Sequence, residues 1–142
     1  MWVGGIFCDL NKAFDYVNHN ILLPKLEFYS ITGRANNLIK SYLNDRYQRV
    51  LIKNKYFKNY FSAWEKVKQG VPQGSILGPL LFILYINDLP GIINDIAKPT
   101  IFVDDTNIII THSNLFKEEI NIVVEKISNW FQNNLLILNY KQ

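Results

Sequence analysis

The hydrophobic positions of this chain change their period several times, and each change marks an element. Residues 3–9 carry an apolar run, Val3, Ile6, Phe7 and Cys8, that stops at Asp9, the pattern of a short buried strand with a carboxylate at its end. Asn18 is placed to cap a helix beginning near Asn20, in which Ile21, Leu22, Leu26 and Tyr29 recur at helical spacing until Thr32-Gly33 interrupts them. A second helix is predicted over residues 35–43. Residues 46–52 and 56–64 alternate β-branched and aromatic side chains around Lys53-Asn54-Lys55, which predicts a strand pair with a basic turn. The Gly/Pro loop Gln69-Gly70-Val71-Pro72-Gln73-Gly74-Ser75 then feeds an apolar segment, residues 76–89, read as one buried helix with Pro79 in its first turn. Residues 100–103 and 107–111 are β-runs flanking Asp104-Asp105-Thr106, a tight hairpin with acids at its tip. Asn114 is placed to cap a long helix over residues 115–133, with Ile120, Val123, Val124, Ile127, Trp130 and Phe131 on one face, and residues 135–139 predict a final strand. The order implies an α+β fold, helices packed on one face of a mostly antiparallel sheet.

Composition narrows this picture. At 142 residues the chain is sized for one core, so a single domain is expected over residues 1–142. With 49% hydrophobic and 19% charged residues it reads as globular rather than disordered. The apolar stretch at residues 76–86 is broken by Gly78 and Pro79 and falls short of the roughly 20 residues that cross a bilayer, so no membrane partner is expected. The first residues lack a basic region and a small-residue cleavage site, which predicts a nuclear or cytoplasmic protein that is not secreted. The single cysteine, Cys8, excludes an internal disulfide or a multi-cysteine zinc site and reads as a buried strand thiol. A net charge of +3 is a mild excess, but its distribution is uneven. Lys40, Arg46, Arg49, Lys53, Lys55, Lys58, Lys66 and Lys68 crowd the middle, interleaved with Tyr42, Tyr47, Tyr56, Tyr60 and Trp64. This segment, with Arg46, Arg49 and Lys53 as contacts, is either a nucleic-acid surface or the solvated face of a hairpin.

The acids raise the chemical question. Asp9 alone is a strand-end cap or a ligand. Asp104-Asp105 sets two carboxylates side by side among apolar neighbours, where their repulsion would be relieved by a cation. Hard oxygen donors with open positions suit magnesium, or manganese in its place, completed by substrate phosphates. Two such ions about 4 Å apart support in-line phosphoryl transfer. The competing reading is an ordinary Asx-turn hairpin. The loop from Gln69 to Ser75 is either a turn capping the next helix or a place where Gly70 and Gly74 let backbone approach a nucleotide while Gln73 reaches sugar or base. It lacks the ending of a Walker loop. Lys12 and Lys141 are candidate phosphate contacts, and His19 and His112 read as structural.

Phe7-Cys8-Asp9-Leu10-Asn11-Lys12-Ala13-Phe14-Asp15, then Gln69-Gly70-Val71-Pro72-Gln73-Gly74-Ser75-Ile76-Leu77-Gly78-Pro79-Leu80-Leu81-Phe82, then Phe102-Val103-Asp104-Asp105, closely resemble three consecutive motifs of non-LTR (LINE-like, jockey-type) retrotransposon reverse transcriptases. Tyr85-Ile86-Asn87-Asp88-Leu89-Pro90 and the stretch from Trp130-Phe131 to Lys141 extend the resemblance over nearly the whole chain. It implies a polymerase palm in which Asp9 and Asp104 bind two magnesium ions with Asp105 as the third acid. Phe14 matches the aromatic beneath the sugar of the incoming nucleotide, which would clash with a ribose 2′-hydroxyl. Gln73, with Gly74 beside it, matches the residue contacting the incoming nucleotide and template, and Lys141 matches a lysine proposed to help pyrophosphate leave. Phe102 stands where tyrosine is commoner and Val103 where alanine is commoner. The implied partners are an RNA template, a DNA primer and dNTP. The fingers, thumb and endonuclease regions of a full-length element have no room here, so the chain is expected to be weak or inactive alone. The alternatives are a catalytically inactive remnant that at most binds nucleic acid, and an unrelated nucleotide- or RNA-binding module. The last would be favoured by acids more than about 10 Å apart, too far for paired metals.

Overall fold

The computed structural model describes residues 2–55, 58–102, 105–112 and 116–139. In chain order the elements are β1 (Trp2–Cys8), α1 (His19–Phe28), α2 (Gly33–Leu43), β2 (Tyr47–Gln48), β3 (Leu51–Ile52), β4 (Tyr60–Phe61), β5 (Glu65–Lys66), α3 (Leu77–Ile86), α4 (Leu89–Ile93), β6 (Lys98–Phe102), β7 (Asp105–His112) and α5 (Phe116–Asn133). The principal sheet is antiparallel and three-stranded, in the order β1-β7-β6. Its two faces follow from the period of two: Thr106, Ile108 and Ile110 are buried against the helices, while Val3, Phe7, Phe102 and Ile109 lie on the open face. Phe7 is 80% exposed, and its ring lies over Gly5, where an added Cβ would come within 3.1 Å of the ring edge.

Leu22 and Leu26 of α1, Leu81, Phe82, Tyr85 and Ile86 of α3, Leu89 and Ile93 of α4, and Val123, Ile127, Trp130 and Phe131 of α5 build the core under that sheet. The α+β layering and the capping of α1 by Asn18, whose side chain accepts the Asn20 N–H, agree with the sequence.

The differences have identifiable causes. The helix read over residues 76–89 is two helices, because Pro90, near the start of α4, has no N–H to give and its ring would collide with the carbonyl four residues back. The central strand pair shrinks to two short ladders whose registers differ by one residue, Gln48 with Glu65 and Leu51 with Phe61. The slip is a bulge at Ser62, whose Oγ accepts the Val50 N–H and donates to the Ala63 carbonyl. Its turn is also wider than predicted, since Ile52 pairs with Tyr60, and every paired residue is exposed, so burial does not enforce a longer ladder. Residues 135–139 form only one bridge, Leu10 with Leu138, because Leu135 turns the chain through φ 54°. Val124, read as inward, is 43% exposed. Asn114, Val103 and Tyr56 lie outside the described residues. Among the described residues no helix is long and apolar enough to cross a membrane.

One polar contact ties the helices together. Lys25 Nζ donates to the Tyr85 carbonyl and to Asp88 Oδ1, each at 2.7 Å, and lies 5.1 Å from the Tyr85 ring centre and 4.9 Å from that of Trp130. Burial pulls the Lys25 ammonium below its usual range, and Asp88 opposes that shift. The buried Tyr85 hydroxyl donates to the Asn134 carbonyl at 2.6 Å and accepts the Asn18 N–H. Burial pushes this phenol up from 10.0 to about 12. Because the folded value is raised, the stability due to Tyr85 is complete below pH 10.0 and lost as pH rises through about 12. Tyr85→Phe is expected to remove that part of the alkaline unfolding curve, followed by circular dichroism. At neutral pH it should cost about 1–3 kcal/mol by leaving the Asn134 carbonyl without its donor.

Candidate active site

Seven paired residues join β1 to β7, ending at Cys8 with Thr106, and the next step of that register sets Asp9 across from Asp105. Directly opposed residues of antiparallel strands have Cα atoms about 4.5–5.5 Å apart, and paired side chains leave the same face. Both acids therefore stand one step beyond the same end of the ladder. Phe102 pairs with Asp105, so Asp104 falls in the connection between β6 and β7 and lies outside the described residues, as does Lys141.

Asp9 is held from the C-terminal side. The Asn139 side chain donates to Asp9 Oδ2 at 2.9 Å, and the Asn139 N–H donates to the Asp9 carbonyl at 2.8 Å. Asp105 is exposed and forms no ion pair among the described residues. Among those residues no three His, Cys, Asp or Glu side chains gather as a metal site. Two carboxylates without a cationic partner among the described residues are nonetheless the donor chemistry magnesium takes, and Asp104 would be the third.

After Asp9 the chain makes a tight turn in which the Lys12 carbonyl accepts from Asp15 and Tyr16, while Leu10, Ala13 and Val17 sink into the core. Lys12 itself takes a positive φ of 48°. This turn holds Phe14 half-buried, its ring centre 5.0 Å from that of Phe82. Opposite it runs the Gly/Pro loop: Gly70 N–H donates to the Val17 carbonyl and Val71 N–H to the Phe14 carbonyl, both at 2.8 Å. Gln73 Nε2 donates to Asp15 Oδ1 at 3.2 Å. Between the turn and the loop lies a cavity of about 310 Å³ lined by Lys12, Phe14, Pro72, Gln73 and Gly74 among others. A wider groove of about 600 Å³ continues from it past Lys12, Arg46, Lys66, Lys68 and Gln69. The structure thus brings Phe14, Gln73 and Gly74 together around one cavity, with Leu10 in its lining, while Asp9 lines a separate cavity of about 210 Å³ with Ser128 and Asn139.

The basic candidates separate. Arg46 is spent on the backbone, donating to the Leu43 and Gly70 carbonyls. Arg49 is stacked on Phe61 and Trp64, 4.1 and 4.6 Å from their ring centres. Lys53 sits in the exposed hairpin turn. Lys66 pairs with Asp45 at 2.7 Å on the surface. Cys8, the last residue of β1, is half-buried, which raises its thiol pKa. His19 is buried with Nε2 2.8 Å from the Gly70 carbonyl, the structural role expected of it. Sequence reasoning missed Asn139 and Asp15 as partners of site residues. Asn139 has no local signal, whereas Asp15 stood inside a quoted motif.

Residues 3–141 match the family described as reverse transcriptase (RNA-dependent DNA polymerase), and the chain belongs to that family. It is 37% identical over 89 residues to the "Probable RNA-directed DNA polymerase from transposon BS" of Drosophila melanogaster, covering 63% of this chain and 9% of that protein. It is 32% identical over 106 residues to the RNA-directed DNA polymerase from mobile element jockey of the same species, covering 75% of this chain and 10% of that protein. The sequence resemblance to jockey-type elements is borne out. The chain spans about a tenth of the length of these relatives. Apo telomerase from Candida tropicalis, truncated from its C-terminal domain, shares the fold with a TM-score of 0.65 at 19% identity, over 99% of this chain and 31% of that one.

The two loop glycines should differ sharply. Gly74 has φ +78° with nothing within 4 Å of an added Cβ, whereas Gly70 has φ +83° and its Cβ would stand 2.9 Å from the Asp15 carbonyl oxygen. Gly74→Ala is expected to cost about 1–2 kcal/mol, the strain of the left-handed backbone alone, and Gly70→Ala more than about 3 kcal/mol. Urea unfolding of the two variants measures the difference.

Proposed function

We propose that this chain carries the nucleotidyl-transfer centre of an RNA-directed DNA polymerase, extending a DNA primer on an RNA template. The observation that supports it most is the β1–β7 ladder, whose last pair, Cys8 with Thr106, stands one step before Asp9 and Asp105, with Leu10 next to Asp9 in the lining of the cavity between Phe14 and Gln73. In the reaction the primer 3′-oxygen bonds to the α-phosphorus of a dNTP as the bond to the pyrophosphate oxygen breaks, and the hydroxyl proton passes to solvent. Two magnesium ions held by Asp9 and Asp104, with Asp105 beside them, would neutralise phosphate charge and lower the pKa of the attacking hydroxyl.

The chain's own groups do the positioning. Phe14, braced on Phe82, forms a flat apolar wall under the sugar, where a 2′-hydroxyl would be both crowded and unpaired. Gln73, held by Asp15, faces the same cavity and presents its remaining amide groups to sugar or base. Lys12 borders both the cavity and the groove and is placed for phosphate. Lys141 is proposed to assist pyrophosphate release. The relatives are far longer, and the elements that grip nucleotide and duplex in a complete enzyme supply positioning worth many kcal/mol, so the isolated chain is proposed to be weak or inactive.

A second reading, a catalytically inactive remnant that binds nucleic acid, is favoured by the basic groove and by the Arg49 stack on Phe61 and Trp64. The experiment is dTTP incorporation on an RNA template with an annealed DNA primer in magnesium, comparing the chain with its Asp9→Ala and Asp104→Ala variants. The proposal expects incorporation that both substitutions abolish. Incorporation insensitive to them would sink the assignment, and none by any chain, with retained RNA binding, would favour the remnant. Removing Asp104 relieves repulsion, so the metal-free stability of Asp104→Ala is expected to be unchanged or higher, whereas Asp9→Ala also loses the hydrogen bond from Asn139 and gains less, checked by thermal melts.

A further inference from the structure

The loop that forms one wall of the cavity is held from behind by two side chains that do not line it. The Gly70 carbonyl lies 2.8 Å from His19 Nε2 and 2.8 Å from Arg46 Nη2. A carbonyl only accepts, so both nitrogens donate and both of its lone pairs are engaged. His19 is the first residue of α1, and Arg46 follows α2 with its Nε on the Leu43 carbonyl at 3.2 Å. Two helices thus converge on one peptide group. Gly70 N–H is bonded to Val17 and Val71 N–H to Phe14, so the same peptide links the turn to the loop. Absence of a side chain is what permits this, since the approach to Asp15 leaves no space for a Cβ.

We infer that His19 and Arg46 are positioning residues that clamp the Gly70 carbonyl and thereby set the spacing of Phe14 and Gln73 across the cavity. The inference rests on the nucleotide-binding reading of that cavity and deepens it. Gln73 follows Gly70 by three residues, and Phe14 is hydrogen-bonded to Val71. Any play at Gly70 is therefore passed directly to the gap between the two walls. The clamp makes discrimination between deoxyribo- and ribonucleotides depend on two residues outside the cavity lining.

The test uses the full chain and four variants: His19→Phe and Arg46→Met, which lack the donor, and His19→Gln and Arg46→Lys, which keep one. Amide hydrogen exchange is followed residue by residue, and dTTP and UTP binding in magnesium is measured by titration. The donor-deleting variants are expected to speed exchange at Gly70 and Val71 by about tenfold while the β1–β7 ladder keeps its protection. They should also lower the preference for dTTP over UTP severalfold, and the donor-keeping variants should recover part of both effects. Unchanged exchange at Gly70 and Val71, or exchange that rises equally throughout the chain, would overturn the clamp. If the unsubstituted chain binds neither nucleotide, the cavity reading fails, while the clamp on Gly70 is decided by exchange alone.

Discussion

Pairing between β1 and β7 is the constraint from which the rest of this structure follows. A strand has a side-chain period of two, so a slip of one residue would turn Asp9 to the helix side and bring Ile6 and Cys8 out to water. Burial of Thr106, Ile108 and Ile110 on one face and of none of their neighbours enforces the register with apolar area rather than with the acids. The ends of β1 and β7, with Asp9 and Asp105 beside them, are thus fixed by a hydrophobic pattern a few residues away.

The second layer of organisation concerns polar groups that the core cannot leave unpaired. Lys25 is desolvated among Tyr85, Trp130 and Asp88, and Tyr85 in turn satisfies the Asn134 carbonyl beyond the end of α5. This places one cation and one hydroxyl where α1, α3 and the exit from α5 meet. From that exit the chain runs directly to Leu138 and Asn139, which pair with Leu10 and Asp9. The interior network and the strand-end acid are therefore linked by five residues of backbone.

What the sequence disclosed and what it withheld divide along physical lines. Elements whose burial is one-sided and strong, such as α5 and β7, announce themselves by period alone, whereas β1, read from its apolar run as a buried strand, leaves Val3 and Phe7 exposed. Asp9 could be placed at a strand end, whereas Asp105 and Thr106, read as part of the hairpin tip, belong to β7, with Thr106 buried. The motifs identified Phe14 and Gln73 as a pair although 59 positions separate them in the chain, something no local rule supplies. The break between α3 and α4 was written in Asn87-Asp88 and Pro90, but the apolar run from Leu80 to Ile86 resuming at Leu89 concealed it. The exposed hairpin could not be read accurately, since nothing buries it and its register is set by a serine hydroxyl at Ser62. Arg46 looked like a surface contact because charge says nothing of direction. Its guanidinium turns inward to the Leu43 carbonyl at the end of α2 and to the Gly70 carbonyl, which only the assembled loop presents.

The glycine under Phe7 carries a last implication. Phe7 and Asp9 leave β1 on the same side, and the Phe7 ring can lie down on the strand only because position 5 has no side chain. An aromatic plane, rather than an upright ring, therefore borders the first carboxylate. The open face of the sheet is thus lower at Phe7 than an upright ring would make it, and that height is determined by the hydrogen atom Gly5 carries in place of a Cβ.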